Sequence, residues 1–311
     1  MKAKNETLLE IHDLSVSFRM YDRALEQKSL QVISDLRLTV RPGEIVAIAG
    51  SSGSGKSLLA SAILGILPAN ASVHGHLHYK GQELTPDRQA RLRGGEIALV
   101  PQSVAYLDPL MKVGKQADGH KKPRPTGKRR SIFSRFSLPE HTETLYPFQL
   151  SGGMARRVLV STALITDAEL IIADEPTPGM SLDQALEALQ MFREMANAGK
   201  AVILITHDID LAFEFADRVA VFYAGTTVET APAADFRTGP DALRHPYSKA
   251  LWRALPQNGF TPIPGFQPYA GDLPRGCLFA PRCPYATGEC LRQTPPMEEV
   301  RGGEVRCFHA T

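Results

Sequence analysis

Gly50 to Ser57 reads Gly-Ser-Ser-Gly-Ser-Gly-Lys-Ser, which matches G-x-x-x-x-G-K-S at every fixed position. Such a loop holds phosphate because its glycines let the backbone turn tightly and aim N–H groups at an anion. Gly50, Ser51, Gly53, Ser54 and Gly55 form the cradle, Lys56 has the reach for β- and γ-phosphates, and the Ser57 hydroxyl suits Mg²⁺. A second anion-binding helix start lies at Leu150-Ser151-Gly152-Gly153-Met154. One nucleotide needs one phosphate loop per chain, so this second surface is most useful to a nucleotide on another subunit. Asp174-Glu175 pairs two carboxylates after the apolar run 170–173. The first suits Mg²⁺ through its water shell, and the second can polarise a water.

Three single residues extend this chemistry. Gln102 follows the short apolar run 97–100 and can ligate Mg²⁺ or orient an attacking water; alone it reads equally as a polar loop residue. His207 follows the apolar run 201–205 and can contact a γ-phosphate, and alone it reads equally as a structural histidine. Phe18 can stack on a base or serve as core. His74, His76 and His78 alternate, so a strand there puts all three on one face; a solvated outer face is the plainer reading than a metal site.

These groups must be carried by alternating strands and helices. Ile45 to Ala49 reads as a buried strand before the loop, and Leu58 to Leu67 as the helix after it, stopped by Pro68. Leu9 to Phe18 and Leu36 to Val40 read as strands, Ala155 to Ile165 as a helix, and Gln184 to Ala198 as an amphipathic helix ended by Gly199. The alternation predicts an α/β fold, a mostly parallel sheet with ligands at the strand C-termini.

Composition narrows the classes. At 311 residues the chain holds one large α/β domain and a smaller appendage. Lys+Arg 35 against Asp+Glu 33 leaves no global basic field, so no nucleic-acid partner is expected. Residues 1–10 are polar and no 18 apolar residues run together, so a cytoplasmic protein is expected whose membrane role comes through partners. Seven Lys or Arg between Lys121 and Arg135, with Pro123, Pro125 and Gly127 among them, read as a flexible solvated loop, with anionic lipid as the alternative contact.

Together these residues resemble the ATP-binding subunit of an ATP-binding-cassette (ABC) transporter over roughly Leu8 to Val228, with Leu-Ser-Gly-Gly at 150–153 as the most specific part. The resemblance implies a P-loop NTPase nucleotide-binding domain over 1–238 with a helical subdomain near 103–165. It implies Phe18 as the adenine-stacking aromatic, Gln102 as the Q-loop, Asp174 as the Mg²⁺ carboxylate, Glu175 as catalytic base and His207 as the switch histidine. Ser151, Gly152 and Gly153 would face the γ-phosphate bound by the opposite subunit. ATP and Mg²⁺ follow as cofactors. A second ATPase subunit, identical or paralogous, and two transmembrane permease subunits follow as partners, at the cytoplasmic face of the cell membrane. Two departures stand out. Met154 replaces the commonest glutamine, and after Glu175-Pro176-Thr177 the chain reads Pro178-Gly179-Met180-Ser181-Leu182-Asp183, so either Ser181 or Asp183 serves the D-loop.

Beyond Gly239, 11 of the 23 prolines fall in the last 73 residues, which argues for an irregular extension over 239–311 and against more sheet. His245-Pro246-Tyr247 and the segment Gly276 to Pro284 resemble the oligopeptide, dipeptide and nickel importer ATPases, which implies an importer of peptides or nickel and metal chelates, fed by an extracytoplasmic binding protein. Cys277, Cys283, Cys290 and Cys307 are all four cysteines of the chain. Their spacing is wider than zinc sites use and suits a [4Fe–4S] cluster better, with zinc or free thiols as alternatives. A soluble, non-transport ATPase of the same class is the competing function; the chain has neither the long heptads nor the second cassette that would favour it in DNA maintenance.

Overall fold

The computed structural model describes residues 7–21, 27–119 and 126–311, which cluster into two compact units. The described strands are β1 (Leu9–Tyr21), β2 (Gln27–Val40), β3 (Ile45–Gly50), β4 (Ala71–Tyr79), β5 (Gln82–Glu83), β6 (Ile97–Val100), β7 (Leu170–Asp174), β8 (Ala201–Ile205), β9 (Arg218–Tyr223), β10 (Thr226–Pro232), β11 (Glu298–Val300) and β12 (Gly303–Val305).

One unit takes residues 40–45 and 85–206. Its β6, β7 and β8 are parallel, with Leu170 opposite both Ile97 and Ala201. Every residue of β7 and β8 is buried, which is why both read as unbroken apolar runs without alternation: a parallel sheet covered on both faces has no wet side. Helix Gly152–Leu164 packs on β6, and helix Leu182–Asn197 on β8. Each fully buried aliphatic side chain in these strands contributes roughly 1.5–3 kcal/mol relative to leaving it exposed. Truncating Ile172, 0% exposed, to Ala would cost about 3 kcal/mol.

Over 103–165, where a helical subdomain is expected, the chain forms helices Val113–Asp118, Thr126–Arg135 and Gly152–Leu164 within the same compact unit as β6, β7 and β8. The basic segment departs from expectation. Lys121, Lys122 and Arg124 lie outside the described residues, but 126–135 is a helix rather than a loop. Its arginines are used: Arg129 bridges Asp118 and, at 2.7 Å, Glu143, while Arg135 reaches Glu187 and Glu194, each at 2.7 Å. Carboxylates distant in sequence thus anchor a segment that looks repulsive by itself.

The other unit takes 9–39, 46–84 and 207–311. Its strands run β11-β12-β10-β9-β3 in one sheet and β2-β1-β4-β5 in another. β3 is parallel to β9 and fully buried. The helix after it, Lys56–Leu64, starts two residues earlier than expected and ends at Gly65 (φ 64), not at Pro68, because the left-handed glycine closes the last turn. The expectation of no sheet in the extension is corrected. Hairpin β11–β12 turns through Arg301 (φ 48) and Gly302 (φ 73) and pairs with β10 at Glu229↔Val305. Arg244, 2% exposed, holds it, donating to the carbonyls of Val300 and Arg301 at 2.6 Å each while paired with Asp235 (2.7 Å) and Glu229 (3.4 Å). Among the described residues no helix is long and apolar enough to cross a membrane.

Candidate functional site

The phosphate loop grows out of the buried end of β3. Gly50 (φ 152) packs so tightly that a Cβ there would lie 2.3 Å from the Phe222 carbonyl, so only glycine fits. Gly53 (φ 77) and Gly55 (φ 94) take the left-handed turns that deliver the chain into helix Lys56–Leu64. The Ser54 hydroxyl is buried without a hydrogen-bond partner, an expensive state for a polar group unless a ligand supplies one. Lys56 Nζ donates to the Gly50 and Ser51 carbonyls, each at 2.9 Å, so the ammonium folds back over the loop. Ser57 opens the helix and is exposed. Phe18, half-buried on β1 opposite Ala71, belongs to the same unit, as does the exposed His207 before the short helix Ile209–Phe215.

The carboxylates stand in the unit of β7. Asp174, 6% exposed, is the strand's last residue. Glu175 follows at φ 48, a left-handed conformation that β-carbon sterics disfavour, held by its N–H donating to the Ile205 carbonyl at 2.8 Å. The Gln102 amide donates to Glu175 Oε2 at 2.9 Å, so two residues 73 apart in sequence share one site. Arg156 binds this corner together. It donates to the carbonyls of Pro101 (3.0 Å), Gln102 (2.6 Å) and Pro178 (3.3 Å). Burial pushes its pKa down, and the nearby charges of Glu175 and Asp174 oppose that shift. Sequence reasoning missed Arg156; its one signal was a cation among the apolar residues of helix Gly152–Leu164.

That helix begins at Ser151-Gly152-Gly153, the segment expected to face an anion. Ser151 is its N-cap, accepting from the Met154 N–H at 3.3 Å, and Ser151 and Gly152 face solvent. The Met154 departure therefore leaves the cap intact, since the bond uses its backbone. A Cβ on Gly152 would meet nothing within 4 Å. Of the two D-loop candidates, Ser181 is the N-cap of helix Leu182–Asn197, its N–H donating to Gln184 at 3.4 Å, and Asp183 lies inside the first turn.

Comparison with known proteins settles the family. The ABC transporter family pattern matches residues 33–178, and the C-terminal region of oligopeptide/dipeptide transporters matches 228–290. The dipeptide transport ATP-binding protein DppD of Escherichia coli is 34% identical over 97% of this chain and 96% of its own length. The oligopeptide transport ATP-binding protein OppD of Salmonella typhimurium is 34% identical over 97% of this chain and 93% of its own. The chain belongs to the ABC transporter ATP-binding family. It spans half the length of other relatives it matches, such as OppD of Mycobacterium tuberculosis, which is 35% identical over 94% of this chain. In fold, this ABC chain is similar to a dimeric bacterial ABC transporter cassette, with a TM-score of 0.64 at 22% identity over 72% of this chain and 98% of that one. A post-hydrolysis cassette bound to ADP and phosphate gives 0.63 at 23% identity over the same shares.

The four cysteines of this ABC protein line one cleft with His245, Phe279 and His309. All are free thiols. Burial raises Cys277 and Cys283 and pushes Cys307 up to about 11, and their mutual charges push the same way. The Cys277 N–H donates to the Cys290 carbonyl at 2.8 Å, and the His309 N–H to Cys307 Sγ at 3.3 Å. Among the described residues no three His, Cys, Asp or Glu side chains meet closely enough to share one metal ion, which applies to the cysteines and to His74, His76 and His78 alike. The histidines instead lie on β4, with His76 opposite His12 on β1.

Proposed function

We propose that this chain is the ATP-hydrolysing subunit of an ABC importer for peptides. What carries the reading is similarity along nearly the whole length of proteins named for oligopeptide and dipeptide transport. The phosphate loop supports it, because a glycine that tolerates no Cβ and an orphaned Ser54 hydroxyl suit a bound phosphate. Lys56 would exchange two carbonyls for β- and γ-phosphate oxygens. Ser57, Asp174 and Gln102 would hold Mg²⁺, which neutralises charge on the phosphates. Glu175 would take the proton of the attacking water as its oxygen bonds to the γ-phosphorus and ADP leaves. Phe18 would stack on adenine and His207 contact the γ-phosphate. Ser151, Gly152 and Gly153 would serve a nucleotide on a second ATPase subunit, so closure and opening of the dimer would drive two permease subunits between access states. The protein would then sit peripherally on the cytoplasmic face of the membrane, served by an extracytoplasmic binding protein.

The extension over 239–311 would be stapled by a [4Fe–4S] cluster at Cys277, Cys283, Cys290 and Cys307. A single zinc with bonds of about 2.3 Å needs sulfurs roughly 3.8 Å apart, whereas in a cluster each thiolate takes its own iron and the sulfurs stand wider. What supports a shared group at these residues is that all four thiols line one cleft.

The test is uptake by cells lacking the gene, complemented with wild type or Glu175→Gln and offered a labelled dipeptide and labelled nickel in parallel. Selective loss of dipeptide uptake with the variant is expected. Selective loss of nickel uptake would make the cargo a metal, and no change in either would favour the non-transport ATPase.

A further inference from the structure

The phosphate loop is tied to the C-terminal extension at one residue, Ser51. The Tyr247 phenol lies within reach of both the backbone and the hydroxyl of Ser51. That hydroxyl donates in turn to Gln267 Oε1. Both partners lie about two hundred residues down the chain, and both are braced by the cysteine-bearing segment. Tyr247 is 2% exposed, its ring 4.5 Å from Tyr223 and 5.4 Å from Phe279. Gln267 follows a stretch pinned by Arg282, which donates to the Pro264 carbonyl at 2.7 Å and the Ile263 carbonyl at 3.1 Å, and also to the Tyr223 hydroxyl at 3.3 Å. Two arms from residues 279–282 therefore converge on the second residue of the loop.

The rest of the loop's outer half has little else to hold it. Ser52 and Gly53 are exposed, and a Cβ on Gly53 would meet nothing within 4 Å. Lys56 holds the Ser51 carbonyl from inside, but a lysine that moves to phosphate oxygens must release it. From that moment Ser51 is held by the Ser54 N–H, which donates to its carbonyl at 3.3 Å, and by the contacts from outside.

We propose that Tyr247 and Gln267 are positioning residues for ATP: by holding Ser51 they keep the phosphate loop formed when Lys56 turns to the nucleotide, so the C-terminal extension sets nucleotide affinity. This rests on the reading of the chain as an ATPase. Neither residue touches the reacting atoms, so the signature is a change in affinity and not in turnover.

The experiment uses the full chain, with Tyr247→Phe, which keeps the buried ring, Gln267→Ala, Ser51→Ala and the double variant Ser51→Ala/Tyr247→Phe. Loss of one hydrogen bond of ordinary net strength corresponds to about a fivefold weaker Kd for Mg·ATP. The expected result is that shift in Kd and KM for Tyr247→Phe and Gln267→Ala, with kcat within about twofold of wild type. The double variant should weaken Kd by less than the product of the two single effects, because the contact between the Ser51 and Tyr247 side chains is lost in either one. A merely structural role would instead lower Tm and kcat per mole of protein with KM unmoved, and that result overturns the proposal, as do effects that multiply in the double variant. A second readout needs no nucleotide: amide hydrogen exchange across 50–57 should quicken in Tyr247→Phe. Unchanged exchange overturns the positioning role. Quickened exchange in a protein that binds no ATP supports it and overturns the ATPase reading alone.

Discussion

Gln102 donates its side-chain amide to Glu175 Oε2 at 2.9 Å, placing a loop glutamine directly on the carboxylate offered as general base. The bond uses one acceptor site of a carboxylate that has two oxygens, so Gln102 stands where it could orient a water for Glu175. Glu175→Gln should retain ATP binding and lose hydrolysis by at least about a hundredfold, the lower range for a missing general base. Gln102→Ala should lose less, about tenfold, since a positioning group is removed and the base remains. Single-turnover phosphate release against filter-bound ATP measures both. Hydrolysis by Glu175→Gln at the wild-type rate would remove Glu175 from the role.

Arg156 should matter as much to stability as to turnover. Its guanidinium serves three carbonyls, on Pro101, Gln102 and Pro178, and its residue is 6% exposed. Arg156→Met would leave those acceptors unpaired and lower unfolding free energy by about 3 kcal/mol. Arg156→Lys should rescue little, because one ammonium lacks the planar fork that reaches three oxygens. Urea denaturation measures the first effect, and kcat the second: with Gln102 loosened, turnover of the folded fraction should also fall.

The comparison of these two corners shows what a sequence displays. The loop 50–57, the run 170–174 and the helix start at 151–153 were legible because their constraints are local: tight turns demand glycine, two covered sheet faces demand unbroken apolar runs, and a helix start takes a hydroxyl cap. Arg156 was not, since it stands beside Arg157 with no spacing to tell the two apart and its partners are backbone carbonyls that every residue possesses. The Ser51–Tyr247–Gln267 contact was hidden for the same reason, its members being separated by about two hundred positions. Proline content misled at 298–305 because an average over the extension conceals an eight-residue hairpin, which is held by Arg244 and by pairing with β10 rather than by its own propensity.

The cysteine cleft gives a compositional prediction. Protein purified without oxygen should carry about four irons and four sulfides per chain, and Cys290→Ala should lose most of both. Because all four thiols converge on one cleft, removing the metal should expose the extension to protease before the rest of the chain. One zinc per chain and no sulfide would reverse the assignment. Metal and sulfide analysis, with limited proteolysis before and after chelation, decides between them.

His245 supplies a prediction in pH. It is buried at 1% exposure, its Nδ1 accepting from the Tyr247 N–H at 2.9 Å as the cap of helix Pro246–Arg253, and burial lowers its pKa from 6.5 to about 3. The unfolded chain takes up this proton below pH 6.5 while the folded chain refuses it down to about 3, so the folded state binds fewer protons in that window. Stability from this residue is therefore complete above pH 6.5 and is lost as pH falls toward 3, with a slope approaching about 1.4 kcal/mol per pH unit. Asparagine caps helices well and does not titrate, so His245→Asn keeps an acceptor for the Tyr247 N–H. Glu229, which accepts from the His245 N–H at 2.8 Å and pairs with Arg244, is common to both proteins. Urea unfolding at pH 6.5 and 4.5 should show a loss smaller by roughly 2 kcal/mol in His245→Asn than in wild type. Equal losses would mean that His245 reaches water in the folded state and that the helix cap is not sealed.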